Sequence, residues 1–273
     1  MEKVKRLAIL GAGNIGTSIA RGLVQSKLFE PQQVTLTRRR VDLLRKFAEQ
    51  GFVVERDNVA AVRSCEALII AVEPQQINAL LEEICPELDA GRHLVISVVS
   101  GVSIGQITRH IGRDLAVVRA MPNIAIAIRE SMTCLAADRK FDHGIELAKS
   151  IFDTVGRTLV ITEDQMIAAT ALGACGVAFF LRAIRAASQG GIEIGFDSID
   201  ALIIAAQTAK GAAALLLAEG KHPEDEIDKV TTPRGCTISG LNQMEHEGFS
   251  SAMIKGIVTS AEKASRLYNS SEE

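Results

Sequence analysis

A short apolar run, Leu7-Ala8-Ile9-Leu10, leads directly into Gly11-Ala12-Gly13-Asn14-Ile15-Gly16. The spacing is G-x-G-x-x-G, and its place between a strand and a helix is what gives the match weight. Such a loop holds a pyrophosphate. Gly11 permits the tight turn, Gly13 admits the phosphates to the backbone, Gly16 lets helix and sheet pack closely, and the helix N-terminus adds partial positive charge. After the second apolar run stands Thr37-Arg38-Arg39-Arg40, where an Asp or Glu would take a free ribose 2′-hydroxyl. Arg38 and Arg39 suit a 2′-phosphate instead, so the expected cofactor is NADPH, with NADH accepted more weakly. Away from that position, three arginines would read as a solvated helix start.

A rival motif lies further on. Gly101-Val102-Ser103-Ile104-Gly105 satisfies G-x-S-x-G, the pattern of a hydrolase nucleophile turn. Ser103 with Gln106 is equally an ordinary capping pair for the next helix, and the first strand already carries a dinucleotide fingerprint, so capping is the preferred reading.

In the second half, Gly173-Ala174-Cys175-Gly176 and Thr232-Pro233-Arg234-Gly235-Cys236-Thr237 each place glycine where a helix is expected to begin. Unpaired backbone N–H groups at a helix start suit a carboxylate; the plain alternative is a pair of helix breaks. Reduction by hydride transfer asks little of the side chains beyond a carboxylate clamp and one well-placed hydroxyl. Thr237 is the candidate hydroxyl, with helix capping as its structural alternative.

The elements that must position these residues can be read from periodicity. Leu7–Leu10, Val34–Thr37, Phe52–Val54, Leu68–Val72, Leu94–Val98 and Val117–Arg119 are β-rich runs separated by amphipathic stretches, the pattern of a parallel sheet covered on both faces. A helix over Asp142–Val155, closed by Gly156, and a strand near Thr158–Ile161 extend this half. Beyond it the chain reads as helices: Thr162 with Gln165 is a capping box, Asp197-Ser198 opens a long helix closed by Gly220, and Ser250–Leu267 is the last. The expectation is an α/β Rossmann-type parallel sheet domain over 1–162, followed by an all-α dimerisation domain over 163–273. The stretch Ala201–Leu217 is apolar nearly all round, which places it between two subunits or at the centre of a monomeric bundle.

Composition removes several classes of function. The chain has 273 residues, 47% of them hydrophobic, a net charge of −3, no Trp and one Tyr. It lacks the basic excess and aromatic platforms of a nucleic-acid binder. Its five cysteines form no CxxC pair and its five histidines no HExxH, so neither disulfides nor a metal site is expected, and most cysteines read as small buried hydrophobes. Met1–Arg6 is basic, but four apolar residues are too few for a secretory signal. The best apolar stretch is interrupted by Gln207, Thr208 and Lys210, short of the roughly 20 residues that cross a bilayer. A cytoplasmic protein without membrane contact is expected, with disorder only at Asn269–Glu273.

Taken in order, the motifs resemble the pyrroline-5-carboxylate reductase family over essentially the whole chain. The pieces are GAGNIG at 11–16, AVEP at 71–74, ISVVSGV at 96–102, RAMPN at 119–123, AAQTAKGAA at 205–213, EGKHP at 219–223 and TPRGCTISGL at 232–241. The resemblance implies NADPH-dependent reduction of 1-pyrroline-5-carboxylate to L-proline by a homodimer, in some members a ring of dimers. It assigns Ala71, Val72, Pro74, Ser97, Ser100 and Asn123 to the cofactor, which Asn14, Ile15 and Asn58 join. It sets Thr237 at the imine nitrogen, and Thr232, Arg234, Gly235, Cys236, Cys175 and Gly176 around the substrate. The chain departs from the family at Glu73, where the family has Lys, at Ile124-Ala125, at Cys175 and Val177, and at Arg234, where it has Gly. Arg234 either pairs with the substrate carboxylate or narrows the pocket. Other readings are a reductase of another cyclic imine or small hydroxy acid, and a non-catalytic NADP-binding regulator.

Overall fold

Every residue of Leu7–Leu10, Ala67–Ile70 and Leu94–Ser97 is buried, which a strand achieves only when helices cover both faces of its sheet. The computed structural model describes residues 4–138 and 142–269. Its sheet comprises β1 (Leu7–Leu10), β2 (Val34–Thr37), β3 (Val53–Glu55), β4 (Ala67–Ile70), β5 (Leu94–Ser97), β6 (Ala116–Met121), β7 (Ser131–Ala137) and β8 (Gly156–Val160). The order is β3-β2-β1-β4-β5-β6-β7-β8. Neighbours run parallel except β6 and β7, which are antiparallel.

The flanking helices are α1 (Asn14–Gln25), α2 (Arg45–Glu49), α3 (Asn58–Arg63), α4 (Ile77–Ile84), α5 (Ile104–Ile111) and α6 (Asp142–Phe152). Alternation along the strands separates two cores. Leu7 and Ile9 meet Ile19 and Leu23 of α1, Phe47 of α2 and Phe152 of α6 on one face. Ala8 and Leu10 meet Val62 of α3, Leu81 of α4 and Ile107 of α5 on the other.

β7 is absent from the sequence reading. Its residues, Ser-Met-Thr-Cys-Leu-Ala-Ala, lack the β-branched and aromatic bulk that marks a strand. It holds its place by pairing with β6 and β8, and its buried hydroxyls Ser131 and Thr133 satisfy each other at 3.1 Å.

After β8 come α7 (Met166–Ala169), a π-helical turn over Thr170–Ala174, α8 (Gly176–Glu193), α9 (Ser198–Glu219), α10 (Pro223–Val230), α11 (Cys236–His246) and α12 (Phe249–Asn269). The chain divides into two compact units, one holding the described residues up to Cys175 and from Ser260 onward, the other Gly176–Thr259. The capping box of Thr162 with Gln165 forms, Asp197 accepts from Ile199 N and Asp200 N at the start of α9, and Gly220 closes α9 at φ 62°. Residues 270–273 of the tail read as disordered lie outside the described residues.

In the second unit Gly191 of α8 faces Ala201 of α9 so closely that a Cβ at 191 would lie 3.1 Å from that of Ala201. Ala201 is the buried residue of α9, while Ile199, Ile203 and Leu217 are 70%, 60% and 61% exposed. A helix at the centre of a monomeric bundle would bury them, so that alternative falls. The expectation that no segment matches a bilayer also needs correction. By length and composition alone, the helical runs Glu163–Glu193 and Ser198–Glu219 are long and apolar enough to cross one. Gln207, Thr208 and Lys210 are too few among the apolar residues of Ser198–Glu219 to break that stretch.

Candidate active site

The ends of β1 and β4 lie side by side, with Ala71 N donating to Leu10 O at 2.8 Å. This is where strand order changes direction, the place at which open α/β sheets hold ligands. Gly11 turns the chain here at φ 92°, and a Cβ on it would lie 2.6 Å from Val72 Cγ1. A Cβ on Gly16 would meet Gly11 O at 2.9 Å and Ile9 Cγ2 at 3.0 Å. These two glycines are required by the protein's own packing. Gly13 differs: its Cβ would meet nothing within 4 Å, so the chain's own packing does not require a glycine there. Gly13 also caps α1 without a side-chain bond, leaving first-turn N–H groups available to an anion.

A groove of about 780 Å³ opens at this point, and Gly11, Gly13, Arg38, Arg39, Asn58, Ala71 and Val72 all line it. Arg38, half-buried, donates from Nη1 to Ala12 O at 3.2 Å and so ties the end of β2 to the glycine loop. Arg39 and Arg40 are exposed and line the same rim. Arg40 and Thr37, which stand with Arg38 and Arg39 at the end of β2, and Glu73 of the AVEP turn also line the groove, as does Glu83, which the sequence does not single out. Arg40 and Thr37 were visible as neighbours of Arg38 and Arg39. Glu83 carries no such signal, because only the packing of α4 beside α3 brings it there.

Asn14, Ile15, Gly16, Pro74, Ser97, Ser100 and Asn123 do not line this groove. Ser97 is 1% exposed, and its Oγ accepts from Val99 N at 3.3 Å. Asn123 is fully engaged: its N donates to Ser131 Oγ, its Oδ1 accepts from Ala125 N, and its Nδ2 donates to Gly173 O at 3.3 Å. It braces the end of β6 against the π turn. Nearby Arg119, 1% exposed, pairs at 3.3 Å with Glu163, whose Oε1 also accepts from Ile104 N at 2.6 Å. Burial pushes the Arg119 pKa down and Glu163 opposes it.

The rival serine is settled by geometry. Ser103 Oγ accepts from Gln106 N at 3.1 Å and Gln106 Oε1 accepts from Ser103 N at 2.8 Å, a complete capping box. His110, on the same helix, faces Glu82 at 3.3 Å. Only two of the five cysteines, Cys65 and Cys134, are buried, while Cys85 and Cys175 are half-buried, which corrects the expectation that most are; burial pushes the Cys65 thiol up to about 12. Cys236, by contrast, is exposed.

The two glycine-bearing segments of the second half behave differently. The segment Gly173–Gly176 leads into α8 at Gly176 but is no open helix end, which corrects the sequence reading. The helix widens into a π turn and continues, with Cys175 N donating to Thr170 O at 2.9 Å, so that N–H is not free. One extra residue in the turn accommodates the glycines without a break. The segment Thr232–Thr237 is a genuine start. Gly235 N donates to Thr232 O at 2.9 Å across a turn with Pro233 second and Arg234 third, at φ 60°. A Cβ on Gly235 would lie 2.5 Å from Thr232 Oγ1. Gly235 caps α11 without a side-chain bond, leaving the N–H groups of Cys236 and Thr237 at an open helix end. Thr237 is exposed, and its hydroxyl has no hydrogen-bond partner among the described residues. It is not spent on capping.

A glycine loop at the switch point, arginines at the end of β2 and a helical second unit define a dinucleotide-binding oxidoreductase of Rossmann type. The family model for NADP oxidoreductase, coenzyme F420-dependent, matches residues 6–101, and that for pyrroline-5-carboxylate reductase dimerisation matches residues 163–267. Two Dictyostelium discoideum proteins are similar. Pyrroline-5-carboxylate reductase 1 is 52% identical over 98% of this chain, which spans 50% of that protein's length. Pyrroline-5-carboxylate reductase 2 is 49% identical over 97% of this chain and 94% of its own. A pyrroline-5-carboxylate reductase structure from Coxiella burnetii superposes with a TM-score of 0.87 at 28% identity, covering 96% of this chain and 98% of that one. The chain belongs to the pyrroline-5-carboxylate reductase family.

Proposed function

We propose that this protein reduces 1-pyrroline-5-carboxylate to L-proline with NADPH. The observation that carries the reading is the groove at the β1–β4 switch point, where Gly13 is left bare toward open space and arginines stand at the end of β2, in a chain of this family. Bound NADPH supplies a hydride for the imine carbon. The glycine loop and the N-terminus of α1 hold the pyrophosphate, and Arg39 and Arg40 take the 2′-phosphate while Arg38 keeps the loop in register. On the second unit, the open start of α11 suits the substrate carboxylate. The Thr237 hydroxyl, free of internal partners, is suited to hold the imine nitrogen as it gains its proton.

The same reading makes the protein a cytoplasmic homodimer whose α8 and α9 bury their apolar faces on a second copy, rather than in a bilayer. Rings of such dimers are compatible with it. Loss of NADPH absorbance on adding 1-pyrroline-5-carboxylate, with proline formed in equal amount, tests the activity; NADH and an ester serve as comparisons. Tight NADPH binding without consumption would leave a different imine or the regulator.

A further inference from the structure

We propose that Glu83 sets how strongly the cofactor groove prefers a 2′-phosphorylated dinucleotide over one with a free 2′-hydroxyl. The inference rests on the dinucleotide reading of the groove. The end of β2 carries arginine in place of the acid that would take a ribose hydroxyl, yet a carboxylate reaches the same groove from α4. It stands at the end of a relay. Gly11 N approaches Thr37 Oγ1 at 3.4 Å, Thr37 Oγ1 donates to Asn58 Oδ1 at 2.6 Å, and Asn58 Nδ2 donates to Glu83 Oε2 at 3.0 Å. The relay fixes which way the Asn58 amide points and links the pyrophosphate loop to the groove's acidic side. Glu83 Oε1 has no hydrogen-bond partner among the described residues.

A carboxylate can only accept, so it takes a hydroxyl donor and repels a phosphate dianion; guanidinium groups do the reverse. With Arg38, Arg39 and Arg40 in the same groove, both kinds of recognition are present. Glu83 receives the 2′-hydroxyl of NADH and tempers the advantage that the arginines give NADPH. The role is one of specificity and not of catalysis.

Calorimetric titration with adenosine 2′,5′-bisphosphate and adenosine 5′-monophosphate separates the 2′-phosphate from the rest of the cofactor. Glu83→Gln keeps an acceptor for Asn58 and removes only the charge. It is expected to bind the bisphosphate about three- to tenfold more tightly and the monophosphate no more tightly, with the gain shrinking at high salt. Glu82→Gln, whose carboxylate faces His110, should behave as wild type. An equal change for both nucleotides would mean that Glu83 only props Asn58, and no change would mean that its charge is not felt; either overturns the proposal. If wild type binds neither nucleotide, the dinucleotide reading itself fails and takes this inference with it. That outcome is distinct from binding without discrimination.

Discussion

Arg234 holds a left-handed conformation at φ 60°, where a side chain costs about 1–2 kcal/mol that glycine avoids. Arg234→Gly is therefore expected to raise stability by about 1 kcal/mol, read as a higher urea midpoint with an unchanged slope; an unchanged midpoint would show that the side chain compensates through contacts of its own. Thr237 lies three residues on, and its hydroxyl has no internal partner to lose. Thr237→Ala should accordingly leave stability within about 0.5 kcal/mol of wild type. It should lower kcat by tenfold or more, while the NADPH dissociation constant stays as it was. Rescue by Thr237→Ser would assign the effect to the hydroxyl, and a fall in stability instead would remove Thr237 from the chemistry.

At the scale of elements, His93 ties the loop that leads into β5 to the end of α3. It precedes β5, its Nδ1 accepts from Asp89 N at 2.9 Å, and its Nε2 faces Val62 O at the end of α3 at 3.3 Å. That arrangement requires the neutral ring with its proton on Nε2. Burial, with Arg92 adding to it, holds the His93 pKa below its ordinary 6.5. The unfolded chain therefore binds the proton first, so the stabilisation is complete above about pH 6.5 and is lost as pH falls toward the lower folded value. Between pH 8 and 5, wild type should lose more stability than His93→Gln in urea unfolding; parallel curves would refute the assignment. The strands were readable from their own residues: β1 forms at the expected residues because a continuous apolar run has no other way to be buried, and β2, Val-Thr-Leu-Thr, does so on its β-branched side chains. β7 was not readable, because its identity comes from partners on either side rather than from its own side chains. The glycine loop was legible for the same local reason as β1. Glu83 and the brace at Asn123 were not, since each depends on a neighbour distant in sequence. The segment Gly173–Gly176 misled because glycine marks both a helix start and a widened turn.

For the whole molecule, the decisive feature is α9, which buries Ala201 and leaves Ile199, Leu202, Ile203 and Leu217 more than half exposed. Soluble monomers rarely leave a large contiguous apolar patch uncovered, so α9 needs a cover, and by composition either a second copy or a bilayer could supply it. The dimerisation model spans residues 163–267 and so includes all of α9, which favours the second copy. A closed two-fold interface also meets itself, so one substitution places two like charges in it. Ile203→Glu should therefore shift the protein from dimer to monomer in light scattering, whereas Ile203→Leu should keep the dimer. The fold within each chain should survive, because Ile203 is 60% exposed there. A wild-type protein that is monomeric and partitions into lipid vesicles would transfer α9 to the membrane. A Glu variant that remains dimeric would move the interface to another face.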